Sequence, residues 1–174
     1  VNPLMVGEVG LILSTIEVLK IAIKRNYKRI LLLDDDVLFH KDINNQFIKC
    51  TNKLHSWKLL YLGSTYCNIQ PIDVKDNIGI IPKTIERFWG TFAYGIDSSI
   101  YKEYILLLMK SITPLDYVPI HTLFRKYGDG ECFVMSPNLI IADVNDYSDI
   151  RNVKYDIDKY SKIYNWDVSL YDIN

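Results

Sequence analysis

The chain of 174 residues has little of what staples, chelates or anchors a protein. It carries three cysteines, Cys50, Cys67 and Cys132, an odd number with no Cys-x-x-Cys pair. No disulfide framework or cysteine-based zinc site can be read from that set, and the thiols are expected as buried or half-buried groups of a reducing compartment. Its three histidines, His40, His55 and His121, share no ligand-like spacing and are expected on the surface or on helix faces. Glycine and proline are sparse and scattered, without repeats or low-complexity stretches. No apolar run approaches the roughly 18 residues of a membrane span, and no signal-peptide pattern opens the chain. Charge of one sign is also missing: 20 Lys and Arg stand against 21 Asp and Glu, for a net charge of −1. That balance argues against a basic nucleic-acid binder and against a polybasic membrane anchor. The text opens on Val1 in mid-pattern, so an N-terminal truncation is expected.

What remains is globular. Apolar residues make up 49% of the chain, enough at this length for one domain with a real core. From 7 to about 25 apolar residues recur at three- and four-residue steps, which predicts an amphipathic helix. Lys24, Arg25 and Asn26 suit its end. The unbroken run at 30–33 reads as a central strand of a parallel sheet, buried on both faces. Asp42 is placed as the cap of a helix over 43–54, and 57–63 as a strand ending in a Gly turn. Residues 64–87 read as irregular apart from an extended piece near 79–82, and 88–96 as extended. Ser98 starts a helix through 109, Pro114-Leu115-Asp116 another to about 127, and 132–135 and 139–141 are short strands. The tail from Arg151 has no clean period. This helix and strand order predicts an α/β sheet flanked by helices.

The most informative segment is Ile30-Leu31-Leu32-Leu33-Asp34-Asp35-Asp36-Val37. It puts acid at the carboxyl end of a strand, where ligands bind in open α/β sheets. On extended chain Asp34 and Asp36 share one side and Asp35 points away. Two like charges held together call for a hard cation, Mn²⁺ or Mg²⁺. The alternative is a solvated acidic turn or a helix cap.

Gly7-Glu8-Val9-Gly10-x-x-x-Ser14, followed by a helix and Leu31-Leu32-Leu33-Asp34-Asp35-Asp36-Val37, resembles the start of glycosyltransferase family 25. That family includes lipooligosaccharide and procollagen galactosyltransferases. Leu11 and Thr15 stand where the family pattern has Cys and His. Trp57-x-x-Leu60-Tyr61-Leu62-Gly63, Gly90-Thr91-x-Ala93-Tyr94, Pro114-Leu115-Asp116, and finally Pro137 with Ser148-Asp149-Ile150 resemble further landmarks in the same order. The resemblance implies a GT-A-like, Rossmann-type sheet over residues 1–150, with 151–174 as a tail. It also implies a divalent metal and inverting transfer of a hexose, galactose or glucose, from a UDP-sugar to a glycan or hydroxylysine-type hydroxyl.

Carried over by position, Asp34 and Asp36 hold the metal against the donor diphosphate, and Asp35 touches the ribose or sugar. Asp116 is the expected catalytic base, although its position equally fits an N-cap. Asp149 and Glu131 are the alternative bases; Ser148-Asp149 also fits a turn. Trp89, Gly90 and Thr91 are expected to flank the sugar, and Gly63 and Ser64 to lie in an acceptor-side loop. A third metal ligand would have to come from Asp143, Asp146 or Asp149, or from water. With no signal or anchor in view, the cytoplasm or the cytoplasmic membrane face is the expected location, or an endomembrane lumen if a missing start carried a signal.

Two other readings compete. One is a glycosyltransferase-like domain kept only for binding a glycan or a protein. The other is a haloacid-dehalogenase-like phosphatase, which strand-Asp-x-Asp and the late Gly128-Asp129-Gly130-Glu131 loop resemble. Leu38 stands where that family has Thr or Val, and Cys132 and Phe133 follow the late loop where a further Asp belongs.

Overall fold

In the computed structural model, residues 4–65, 74–144, 147–148, 153–154 and 156–172 are described. Helix α1, Val6–Lys24, buries Ile12, Ile16, Leu19 and Ala22, spaced three and four apart along one face. The Glu8 carboxylate accepts the Met5 N–H at 2.8 Å, which closes the helix start. At the other end Asn26 takes a left-handed φ of 55° and turns the chain into strand β1, Arg29–Leu33.

The chain continues through β2 (Val37–Phe39), α2 (Ile43–Thr51), β3 (Leu59–Tyr61), a short hairpin of β4 (Val74–Lys75) and β5 (Ile78–Ile80), and β6 (Ala93–Asp97). Beyond a 3-10 turn at Ser98–Ile100 come α3 (Tyr101–Met109), α4 (Val118–Tyr127), β7 (Cys132–Met135) and β8 (Ile140–Ala142). Short strands β9 (Tyr147–Ser148) and β10 (Val153–Lys154) precede α5 (Ile157–Tyr164) and a 3-10 turn at Val168–Leu170. Asp42 stands at the cap of α2, but its carboxylate accepts from the Asn45 and Gln46 side chains and caps no backbone group.

Six strands form one mixed sheet in the order β1-β6-β3-β7-β5-β4, and β2 pairs with β8 as a separate ribbon. Among the described residues only β3 and β7 are parallel neighbours. The expected central, doubly buried place of β1 is corrected: among the described residues it is an edge strand, paired with antiparallel β6 alone. Ile30 and Leu32 pack into the core, while Leu31 and Leu33 remain 46% and 43% exposed. Strands β3 and β7, neighbours at the middle of the sheet, are buried on both faces. Leu59 and Tyr61 enter one core with α1, α3 and α4. Leu60 and Leu62 enter a second core on the opposite face, which receives Cys50 of α2 and residues of the β2/β8 ribbon.

That second core also takes up the tail, whose form the sequence leaves open. Trp166 and Tyr171 are buried in it, Tyr171 Oη donates to the Asn138 carbonyl at 2.6 Å, and Lys41 N–H donates to the Leu170 carbonyl at 2.9 Å. Cys50 and Cys132 are free and buried, as expected; Cys67 lies outside the described residues. His121 lies on a helix, α4, as expected, on its buried face, whereas His40 is buried outside any helix, which corrects its expected placement. Among the described residues no helix is long and apolar enough to cross a membrane.

The second core closes tightly where β3 ends. A Cβ on Gly63 would overlap the Ile140 carbonyl oxygen and press on the Phe92 ring, whereas a Cβ on Gly10 would meet nothing. Gly63→Ala is therefore expected to cost about 3 kcal/mol or more by chemical denaturation, since backbone must shift to admit it. Gly10→Ala, on an exposed helix face, is expected to gain about 0.5–1 kcal/mol. Similar effects for the two would remove the close approach at Gly63 as a constraint on the fold.

Candidate active site

Strands β1 and β3 run in the same direction on either side of antiparallel β6, so their carboxyl ends lie together. The segment leading into β6 ties both. Asp34 N–H donates to the Phe92 carbonyl at 2.9 Å, Leu62 N–H to the Ala93 carbonyl at 3.0 Å, and Thr65 N–H to the Trp89 carbonyl at 2.8 Å. Asp34, Gly63, Trp89, Gly90 and Thr91 are thereby gathered at one end of the sheet. Gly90 sits at φ +88°, a left-handed conformation open to glycine, with the Phe92 ring against it. Trp89 and Thr91 are half-buried. Gly63 and Ser64, expected in an acceptor-side loop, follow β3 in irregular chain and are buried. The Ser64 carbonyl accepts from Asn138 Nδ2 at 2.9 Å and from Trp166 Nε1 at 3.3 Å, so this turn supports the site from beneath.

Asp34 is half-buried, and Asp35 and Asp36 are exposed. Burial pushes the Asp34 carboxyl up to about 6, with the like charges of Asp36 and then Asp35 adding to it. The Asp36 carbonyl accepts the Asp143 N–H at 2.7 Å where the β2/β8 ribbon begins. Asp143 therefore lies across that ribbon from Asp36, although among the described residues no group of three or more His, Cys, Asp and Glu side chains gathers for a metal.

Leu32 pairs with Tyr94 across β1 and β6, and strand alternation puts Asp34 on the same face as Leu32. That face holds a buried tyrosine cluster. Tyr61 and Tyr94 stack with ring centroids 5.5 Å apart, and the Tyr94 and Tyr104 hydroxyls lie 3.3 Å apart. Burial raises all three phenols well above their ordinary range; the charge of Asp116 adds to the rise at Tyr61 and Tyr104, and that of Asp34 at Tyr94. The tyrosines stay neutral, and Asp34 and Asp116 act electrostatically on one cluster. Asp116 is half-buried and lies outside α4, whose cap position is Tyr117. Its sequence-based reading as the helix N-cap is corrected accordingly.

Two other sequence candidates fall elsewhere. Glu131 precedes β7 at the amino end of the sheet, where its carbonyl accepts Lys58 N–H at 2.7 Å and its carboxylate pairs with Lys58 at 3.7 Å. It is at the wrong end to serve Asp34. The Gly128-Asp129-Gly130-Glu131 loop lies at that end too, where Asp129 accepts the Lys83 N–H at 3.1 Å. The phosphatase reading needs this loop beside Asp34 and does not find it there. Asp149 lies outside the described residues. Tyr61 and Tyr94 fall within the Trp57-x-x-Leu60-Tyr61-Leu62-Gly63 and Gly90-Thr91-x-Ala93-Tyr94 segments, but nothing in the linear pattern brings them together with Tyr104.

Comparison with protein-family models and with curated proteins finds no match for the chain, so the site is read on its own geometry.

The raised Asp34 carboxyl fixes the sign of a pH effect. Its folded value of about 6 exceeds the ordinary carboxylate value near 4, so the folded state holds this proton more tightly. Its contribution to stability is greatest below about pH 4 and is lost as pH rises through 6. In chelator-containing buffer, Asp34→Asn is expected to melt close to wild type at about pH 4 and above it at about pH 7. A difference that does not change with pH would show that Asp34 carries no such penalty.

Proposed function

We propose that the chain transfers a hexose from a UDP-sugar to an acceptor hydroxyl with inversion, on a sheet of GT-A type. The observation that carries this reading is Asp34: a half-buried carboxylate held beside two like charges at the carboxyl end of β1, its proton retained up to about pH 6. A divalent cation relieves that repulsion. Mn²⁺ or Mg²⁺ fits a pair of carboxylates, Asp34 and Asp36, with its other positions left for diphosphate oxygens and water. When bound, the cation supplies charge neutralisation for the departing nucleoside diphosphate.

The chain's own residues do the rest. Asp116 takes the proton from the acceptor hydroxyl on the face opposite the leaving group, so one new glycosidic bond forms as the bond to UDP breaks. The electrostatic reach of both Asp34 and Asp116 to the tyrosine cluster supports their working on one reaction centre. Gly90 and Thr91 border the donor where backbone approach is closest, Trp89 flanks the sugar, and Asp35 contacts the ribose or the sugar. The acceptor is a glycan or a protein hydroxyl.

Mn²⁺ with UDP is expected to raise the melting temperature of the chain, and UDP without metal is not. Asp34→Asn/Asp36→Asn abolishes that shift. Asp116→Asn keeps it but lowers the rate of UDP release from UDP-galactose or UDP-glucose by about 10²-fold or more, the usual loss on removing a general base. A folded wild-type chain that shows no metal-dependent response to UDP would overturn the proposal.

A further inference from the structure

Beside the aspartate site an open groove of about 670 Å³ runs between α4 and residues 83–89. Its walls are joined along their length. His121 Nε2 lies 3.0 Å from the Phe88 carbonyl oxygen, and beyond the far end of α4 Asp129 Oδ1 accepts the Lys83 N–H at 3.1 Å. One end therefore reaches Trp89 and Tyr117, the neighbours in sequence of Gly90 and Asp116, and the other reaches Lys83 and Arg125.

The lining has a definite chemistry. Three cations, Lys83, Arg87 and Arg125, face one carboxylate, Glu86. Lys83 is engaged by Asp129 at 3.9 Å. Arg87 and Arg125 have no hydrogen-bond or ion-pair partner among the described residues, and both are exposed. At the aspartate end Tyr117 is 52% exposed and Trp89 half-buried, so two aromatic side chains border the groove. Aromatic faces suit the apolar faces of sugar rings. Guanidinium groups without carboxylate partners suit a carboxylate or phosphate, which they bind in bidentate fashion. Two available cations beside a glutamate are too few to track a polynucleotide backbone.

We propose that this groove is the acceptor subsite and that it selects a glycan bearing a carboxylate or phosphate group. The inference rests on the transferase reading for the word acceptor, but the binding itself does not. The sugar stacks against Trp89 and Tyr117 with its hydroxyl toward Asp116, and its anionic group lies further along α4 between Arg87 and Arg125. A neutral glycan uses the aromatic end alone.

The test is a titration of the ¹⁵N-labelled full chain at low salt, without nucleotide or metal, following the Trp89 indole N–H, assigned with Trp89→Phe. The probes are a glucuronate-terminated disaccharide, the same disaccharide with that carboxylate reduced to the alcohol, a 6-phosphorylated disaccharide, inorganic phosphate and a short single-stranded oligonucleotide. Both charged sugars are expected to bind at least about tenfold more tightly than the neutral one, and their ranking separates carboxylate from phosphate. Arg87→Gln/Arg125→Gln, at exposed positions that leave the fold intact, should remove that preference while the neutral sugar binds as before. Equal binding of charged and neutral sugars, no binding of any sugar, inorganic phosphate matching the charged sugars, or tighter binding of the oligonucleotide would each overturn the proposal. Because no donor or metal is present, failure here leaves the UDP and Mn²⁺ response standing or falling separately.

Discussion

The arrangement of this molecule depends on the hydrogen bonds that residues 89–97 make to two strands at once. Strand β6 pairs with β1 over its whole length and with β3 on the other side. Because β6 runs against both, β1 and β3 are forced to point the same way, and their ends are brought to one edge. The three bonds from Asp34, Leu62 and Thr65 to the carbonyls of Phe92, Ala93 and Trp89 extend this pairing past the strand ends. A backbone ladder thus fixes where the carboxylates sit, independently of their charges. That separation lets a sheet hold a group whose ionised form the surroundings oppose.

The opposition itself is local. Asp34 continues the inward-facing row of Ile30 and Leu32 and so inherits their burial, while Asp35 and Asp36 emerge into solvent. Beneath lies a layer of phenols raised so far that they remain neutral. Tyr61 Oη has no hydrogen-bond partner among the described residues, a cost that a purely structural core would avoid by using phenylalanine. The same strand shows why the turn after it is glycine: Gly63 is pressed between Ile140 and Phe92, so its missing side chain serves packing.

Much of this was legible in the residue pattern. The five residues of β1 and the four of β7 fall where their apolar runs end, and α1 follows its three- and four-residue spacing. The environment of β1 was not legible: five successive residues with four apolar do not say whether a strand is central or peripheral, and Leu31 and Leu33 proved to be exposed. The order of burial was written instead in Leu59-Leu60-Tyr61-Leu62, where large apolar side chains alternate between two cores. Likewise the acidic run marked itself, but the separation of Asp116 from Glu131 did not. Fifteen positions apart in the chain, they lie before α4 and after it, and a helix of ten residues carries the second to the opposite end of the sheet. The α4 groove had no linear signal at all, because Arg87 and Arg125 come to line one groove only through the packing of the Phe88 segment on His121.

That same helix relates the groove to the chemistry. With its start beside Asp116 and its end at Lys83, α4 works as a ruler about 15 Å long, at 1.5 Å per residue over ten residues. A single hexose is much shorter than this. A ligand that engages both the aromatic end and Arg125 therefore has to be extended, an oligosaccharide and not a monosaccharide. Placing the cations along the helix instead of beside the aspartates also keeps them from neutralising Asp34 and Asp36, which would weaken any hold on a metal. On the proposed reading, recognition of an anion and retention of a cation would need opposite fields, and α4 sets the two places apart by its length.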